Sequence, residues 1–222
     1  MTPPDCAPIE RLRALIARGE DPRPAGPAIP LAPPIDAALP GGGLARGAIH
    51  ELLATDPGAA TALAALILAR AGTPTVWIEP NPDPCPAGLA PFGLDPAALI
   101  VVRADGTDAL WAAEESLRAP AIAGVLATLP RLDLATGRRL QLAAEAGGTL
   151  GLILRPDTAN PPPSAARTRW RVTALPAPGP AHLVGPPHWR LELLRARGAP
   201  PGTWDVAWDG TLAVLGEARA HG

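Results

Sequence analysis

The 222-residue chain contains no lysine: all 19 of its basic residues are arginine. That absence excludes Schiff-base chemistry, a lysine general base and the lysine that grips the β- and γ-phosphates in a Walker-type loop. Arginine carries charge but does not deprotonate, and its planar fork fits a tight phosphate cradle poorly. Tyrosine is also absent, and there is one phenylalanine. The two cysteines, Cys6 and Cys85, form no CxxC pair and no cluster with histidine. Unpaired thiols in a reducing compartment are therefore expected. His50, His182, His188 and His221 are scattered without metal-ligand spacing, so no metal is expected. Ser116 and Ser164 lack a His/Asp pattern around them, against a hydrolase triad. No apolar run approaches the length of a membrane span, and residues 1–30 lack the apolar stretch of a signal peptide. A cytoplasmic location is the consistent expectation. Net charge is −2, so the whole surface is not built to attract nucleic acid.

What is present is apolar residues (47%), 31 prolines and 23 glycines. This composition predicts a folded core with long irregular connections. Residues 8–18 read as an amphipathic helix with Ile9, Leu12, Leu15 and Ile16 on one face and Gly19 as its stop. Prolines at 22, 24, 27, 30, 33 and 34 then predict a stiff, extended tether. Residues 1–34 are thus expected to be an arm, and 35–218 the core. The helix is too short to be stable alone. It needs either its own core or another chain.

In the core, 48–53, 75–78, 99–102, 122–127 and 150–154 read as apolar strands. Helical segments at 59–70, 107–118 and from Asp133 to Gly147 separate them, with Thr107 or Asp108 as the cap of the second. Apolar strands, rather than strands alternating in polarity, interleaved with helices predict an α/β fold with a mainly parallel sheet covered on both faces. Trp77 and Trp111 read as core, and His50 as a histidine at the core edge. Arg138 and Arg139 read as solvent-facing.

After the breaker run 156–164 the pattern changes to period two. Arg167, Arg169 and Arg171 share one face; Thr168, Trp170 and Val172 share the other. Trp189, Leu191 and Leu193 share a face in the next segment, and Trp204, Val206 and Trp208 in the third. These predict a C-terminal antiparallel extension of the sheet. Residues 164–197 also hold Arg167, Arg169, Arg171, Arg190, Arg195 and Arg197 against the single acid Glu192. Three readings of this arginine group stay open: a solvated outer face, a protein-partner surface, or a nucleic-acid surface.

The stretch from Ile35 to Leu53, with Leu39-Pro-Gly-Gly-Gly-Leu and Arg46-Gly47, is similar to the segment leading into a RecA-type core. Residues 138–146, the Arg169-Trp170-Arg171 segment, Trp189-Arg-Leu-Glu-Leu-Leu-Arg195 and Trp204-Asp-Val-Ala-Trp208 resemble the ImuA family more specifically. That family comprises RecA/SulA-like accessory proteins of the bacterial damage-induced mutagenesis cassette. The resemblance spans roughly residues 35–210. It implies a RecA-like fold and work alongside ImuB, an inactive Y-family polymerase relative, with RecA and an error-prone polymerase as further partners. It also implies that the N-terminal helix on its tether (Ile9, Leu12, Leu15, Ile16) docks on a neighbouring subunit. A SulA-like inhibitor that caps FtsZ is the alternative within the same superfamily, and an ATP-binding recombinase paralogue is a third.

Against the recombinase pattern, the phosphate-loop stretch is degenerate. Ala54 and Ala59 stand where glycines belong and Ala60 where the lysine belongs; of the motif only Thr61 remains, in a loop that also contains Gly58. Asp56 would put a carboxylate beside an incoming triphosphate. The position of the water-activating glutamate holds Asn81, or Pro80 with a one-residue slip. The strand that should end in a magnesium-binding aspartate ends in Ala127 or Thr128. The two DNA-binding loops reduce to Pro130-Arg131-Leu132 and a proline-rich 156–164 segment. No cofactor, no ATP hydrolysis and weak or absent DNA binding are expected.

Overall fold

Apolar strands need cover on both faces, and that requirement organises the fold. The computed structural model describes residues 26–81, 85–177 and 185–217. The expected helix at 8–18, with Ile9, Leu12, Leu15 and Ile16, lies outside them, as does the first part of the tether.

Near the start of the described residues, Ile29 exchanges backbone hydrogen bonds with Leu44 (2.8 and 2.9 Å). Gly43 makes this approach possible: a Cβ there would lie 2.5 Å from the Ile29 carbonyl oxygen. Helix α1 follows (Pro33–Ala38), with its prolines in the first turn, where a missing N–H costs nothing. The expectation that the tether runs to residue 34 is corrected here. Ile29, Leu31 and Ala32 are buried with Ile35, and Arg70 donates to the carbonyls of Pro30 (2.8 Å) and Leu31. The prolines stiffen a segment that packs into the core.

In chain order the remaining elements are β1 (Ala48–Ala54), α2 (Pro57–Ala71), β2 (Thr75–Glu79), α3 (Pro86–Leu89), β3 (Leu99–Arg103), α4 (Gly106–Arg118), β4 (Gly124–Thr128), α5 (Leu134–Gly147), β5 (Leu150–Pro156), β6 (Thr168–Leu175), β7 (His188–Ala196), β8 (Gly202–Trp208) and β9 (Leu212–Glu217). Short 3-10 turns at Ala90–Phe92 and Pro96–Ala98 lie between α3 and β3. The strands form one sheet in the order β3-β2-β4-β5-β1-β6-β7-β8-β9. From β3 to β6 every pairing is parallel; from β6 to β9 every pairing is antiparallel. The expected mainly parallel sheet with an antiparallel C-terminal extension is thus the observed one. β6 joins the two halves, and β9 adds a strand the periodicity had not signalled.

One face carries α2, which is apolar all round because the sheet covers one side and Ile29–Leu44 and Leu89–Leu94 cover the other. The tryptophan faces of β6, β7 and β8 join this core. Phe92 sits 5.9 Å from both Trp189 and Trp208, and Trp208 donates its indole N–H to the Pro91 carbonyl (3.1 Å). The opposite face of the sheet carries α4 and α5. Their contact is tight: a Cβ on Gly147 would lie 2.1 Å from the Leu117 carbonyl oxygen.

Trp77 is buried, as expected, but Trp111 is 67% exposed. The buried stripe of α4 is Ala109, Ala113 and Leu117, and Trp111 projects from the other side. The N-cap position of α4 is Asp105, which makes no side-chain cap bond, and neither Thr107 nor Asp108 takes that role. Asp133 caps α5 by accepting from Thr136 N (2.7 Å). No helix among the described residues is long and apolar enough to cross a membrane.

Candidate functional site

Ligands of open parallel sheets sit at the carboxyl ends of the strands, so the β1–α2 turn is the place to look first. β1 runs to Ala54 and α2 starts at Pro57, leaving only Thr55 and Asp56 between them. Thr55 is pinned to β6: its N–H and its hydroxyl both donate to the Val172 carbonyl (3.2 and 2.8 Å). Asp56 is the N-cap of α2, its Oδ1 accepting from Ala59 N (2.9 Å). The amide that would face a phosphate is thereby taken by the chain's own carboxylate. Ala59 and Ala60 are buried inside the helix packing, and Gly58 belongs to its first turn.

Beside this turn lies a cavity of about 340 Å³ lined by Gly58, Thr61, Trp77, Glu79, Asn81 and Phe92, among others. Thr61 and Asn81, separated by a strand and a helix in sequence, meet here. Glu79 ends β2 and accepts the Trp77 indole N–H on Oε2 (2.9 Å). Among the described residues nothing basic lines the cavity. A magnesium-bound triphosphate needs a cation and free helix-terminal amides; this site offers a carboxylate and a capped helix, and the residues do not fit that ligand. Among the described residues no group of three or more His, Cys, Asp or Glu could hold a metal ion.

The six arginines do not form one basic face. Arg169 is buried, its Nε donating to Glu51 Oε2 at 2.6 Å and its terminal nitrogen to the Pro162 carbonyl at 2.6 Å. Glu51 is fully buried in β1 and also meets Arg155 (3.4 Å). Arg171 pairs with Asp157 (2.9 Å) and Glu192 (3.6 Å). Arg190 holds Asp205 through two bonds (2.7 and 2.8 Å), and those bonds lower the Asp205 carboxyl below its ordinary range. Register places Asp205 opposite Arg190, so the outer face of β6–β8 alternates in charge. Arg195 and Arg197 are exposed near the far end of β7; Arg195 donates to the Ser164 carbonyl (2.7 Å). Arg167 is half-buried at the start of β6. The connection from β5 to β6 is exposed or half-buried over most of its length and turns inward at its end, where Ser164, Ala165 and Ala166 are buried.

No protein-family model matches the chain. The fold is similar to that of the RadB recombinase, with a TM-score of 0.60 over 79% of this chain and 93% of that one at 16% identity. A 193-residue stretch is 39% identical to Protein ImuA of Caulobacter vibrioides, covering 78% of this chain and 79% of that protein. The chain belongs to the ImuA family. A shorter stretch of 100 residues is 32% identical to the cell division inhibitor SulA of Edwardsiella piscicida, covering 42% of this chain and 60% of that protein.

In this ImuA-family chain, sequence reasoning overlooked two buried polar systems. The first is Glu51 with Arg155 and Arg169; a lone acid in a strand apolar but for His50 was its signal. The second is His50, wholly buried rather than at the core edge. Its Nε2 contacts the Ala45 carbonyl (2.9 Å), which can only accept, so Nε2 carries the proton. Nδ1 then accepts from the Thr168 hydroxyl (2.7 Å), and that hydroxyl accepts the Trp170 indole N–H (2.8 Å). Burial, with a further push from Arg167, lowers the His50 pKa to about 4, although the Ala45 bond opposes this. The chain of bonds ties β1 to β6, the strand where the sheet changes from parallel to antiparallel.

Proposed function

We propose that the protein is a non-catalytic RecA-like accessory of error-prone translesion synthesis in damage-induced mutagenesis. It binds an inactive Y-family polymerase relative of the ImuB type, with RecA and the error-prone polymerase as further contacts. The ImuA relationship supports the process. The observation that carries the non-catalytic reading is the two-residue β1–α2 turn, with Asp56 capping the helix and Ala60 buried where a phosphate-binding lysine would stand. Arg195 and Arg197 are the exposed members of the arginine group and the best placed to meet a partner.

Two measurements test this. The purified chain should co-purify with the polymerase relative and release no phosphate from ATP above a blank. Replacing Arg195 and Arg197 together by alanine should weaken the complex about tenfold in a titration, the scale of one lost charge-assisted contact. Unchanged binding removes these arginines from the interface; steady ATP turnover refutes the non-catalytic reading. Arg167, Arg169 and Arg171 are not a suitable triple for this purpose, since Arg169 compensates a buried carboxylate. The partial SulA similarity keeps one competing outcome specific: filamentous cells on overexpression would favour an FtsZ-directed inhibitor.

A further inference from the structure

The cavity between α2 and the end of β2 has the opposite polarity to a phosphate site. Among the described residues its charged lining residue is Glu79, and its other polar groups are the Thr61 hydroxyl, the Asn81 amide and the Cys85 thiol. Glu79 is held in place from both sides: Trp77 donates to Oε2, and the Glu79 carbonyl accepts from Ala104 N (3.2 Å). Its Oε1 accepts no hydrogen bond among the described residues, which leaves acceptor capacity on a side chain that lines the cavity. Two walls are aromatic, Trp77 and Phe92, and Phe92 is itself fixed between Trp189 and Trp208. A fixed carboxylate between aromatic walls attracts a cation and repels an anion. The volume, about 340 Å³, stands at the small end for ligand sites and suits one long side chain.

We propose that this cavity receives an arginine side chain of a partner protein. The guanidinium pairs with Glu79, lies against Trp77 and Phe92, and donates its remaining N–H groups to the Thr61 and Asn81 oxygens. A planar, weakly hydrated fork suits aromatic walls and a carboxylate better than a compact ammonium does. The site is distinct from Arg195 and Arg197 and does not depend on which partner is named above; it goes beyond that reading by giving the chemistry of a second contact.

The probe is N-acetyl-arginine amide, titrated into the full chain while the six tryptophan indole N–H signals are followed by NMR, with Trp77→Phe used to assign the Trp77 signal. The Trp77 signal should shift and saturate in the millimolar range, while N-acetyl-citrulline amide, neutral and of the same shape, should leave it unmoved. Glu79→Gln should weaken the response about tenfold, and Asn81→Asp should strengthen it about threefold by adding a second acceptor charge. Asn81 is exposed, so that second variant tests the idea even if the first folds poorly. An unmoved Trp77 signal, an equal response to citrulline amide, or an N81D affinity no higher than that of the unsubstituted chain overturns the assignment. So does tighter binding of magnesium-ATP at the same signal.

Discussion

His50 makes stability depend on pH in a window where few other groups titrate. Its pKa is about 4 in the native state and 6.5 as an ordinary histidine. Between those values the unfolded chain holds more protons on this residue than the folded one, so stability rises with pH. The contribution is complete above pH 6.5 and is lost as pH falls towards 4. The two pKa values give a loss of about 2 kcal/mol by pH 5 and about 3 kcal/mol by pH 4 from this residue alone. Protonation would leave Nδ1–H pointing at the Thr168 hydroxyl, which must then turn its own hydrogen away while still accepting from Trp170. Urea unfolding at pH 7, 6, 5 and 4 measures the effect. His50→Gln is the control, since its amide can still donate to the Ala45 carbonyl but takes up no proton. The difference between the two chains should shrink as pH falls, because carboxylates common to both, such as Asp205 and Asp133 with their lowered pKa values, cancel. Identical pH slopes in the two proteins from pH 7 to 5 would refute the reasoning.

Three further outcomes follow from the packing. Glu51→Ala leaves Arg155 and Arg169 buried without their counter-charge and should cost about 3–5 kcal/mol in denaturant unfolding, among the largest single effects in the chain. Asp56→Ala removes the α2 cap and should lower stability by about 1 kcal/mol, seen as a lower urea midpoint with unchanged slope. Gly147→Ala drives a methyl group into the Leu117 carbonyl and should cost about 1–3 kcal/mol while separating α4 from α5, read as faster amide exchange at the two helix ends.

The central sheet was legible because β1, β2, β4 and β5 are predominantly apolar rather than alternating, the pattern of strands covered on both sides. The tryptophan faces of β6 to β8 followed from alternation alone. What alternation does not tell is which face another segment covers. Arg169 and Arg171 share a side of β6, yet one is buried and the other half-exposed, because the Pro162 backbone and Glu51 of β1 close over the first. Counting acids within 164–197 failed for the same reason: Asp157 and Asp205, which neutralise Arg171 and Arg190, lie outside that window. Trp111 was within reach of the sequence, since Ala109, Ala113 and Leu117 at spacing four already define the inward stripe of α4. The stretch read as a degenerate phosphate loop spans the end of β1 and the start of α2. That its cap is Asp56, and that Glu79 rather than Asn81 alone faces the adjoining cavity, needed the relative placement of α2 and β2.

The brevity of the β1–α2 turn bears on what a phosphate-binding lysine would need here. A lysine introduced at position 60 would arrive on a helix face with 0% exposure, packed against the core, so its ammonium would be stranded without water or a counter-ion. Lengthening the turn would first have to release Thr55 from β6 and Asp56 from the helix end, giving up bonds that now hold the strand in place. A lysine at position 60 alone would therefore not reach a phosphate beside this turn without a rearrangement of the turn itself.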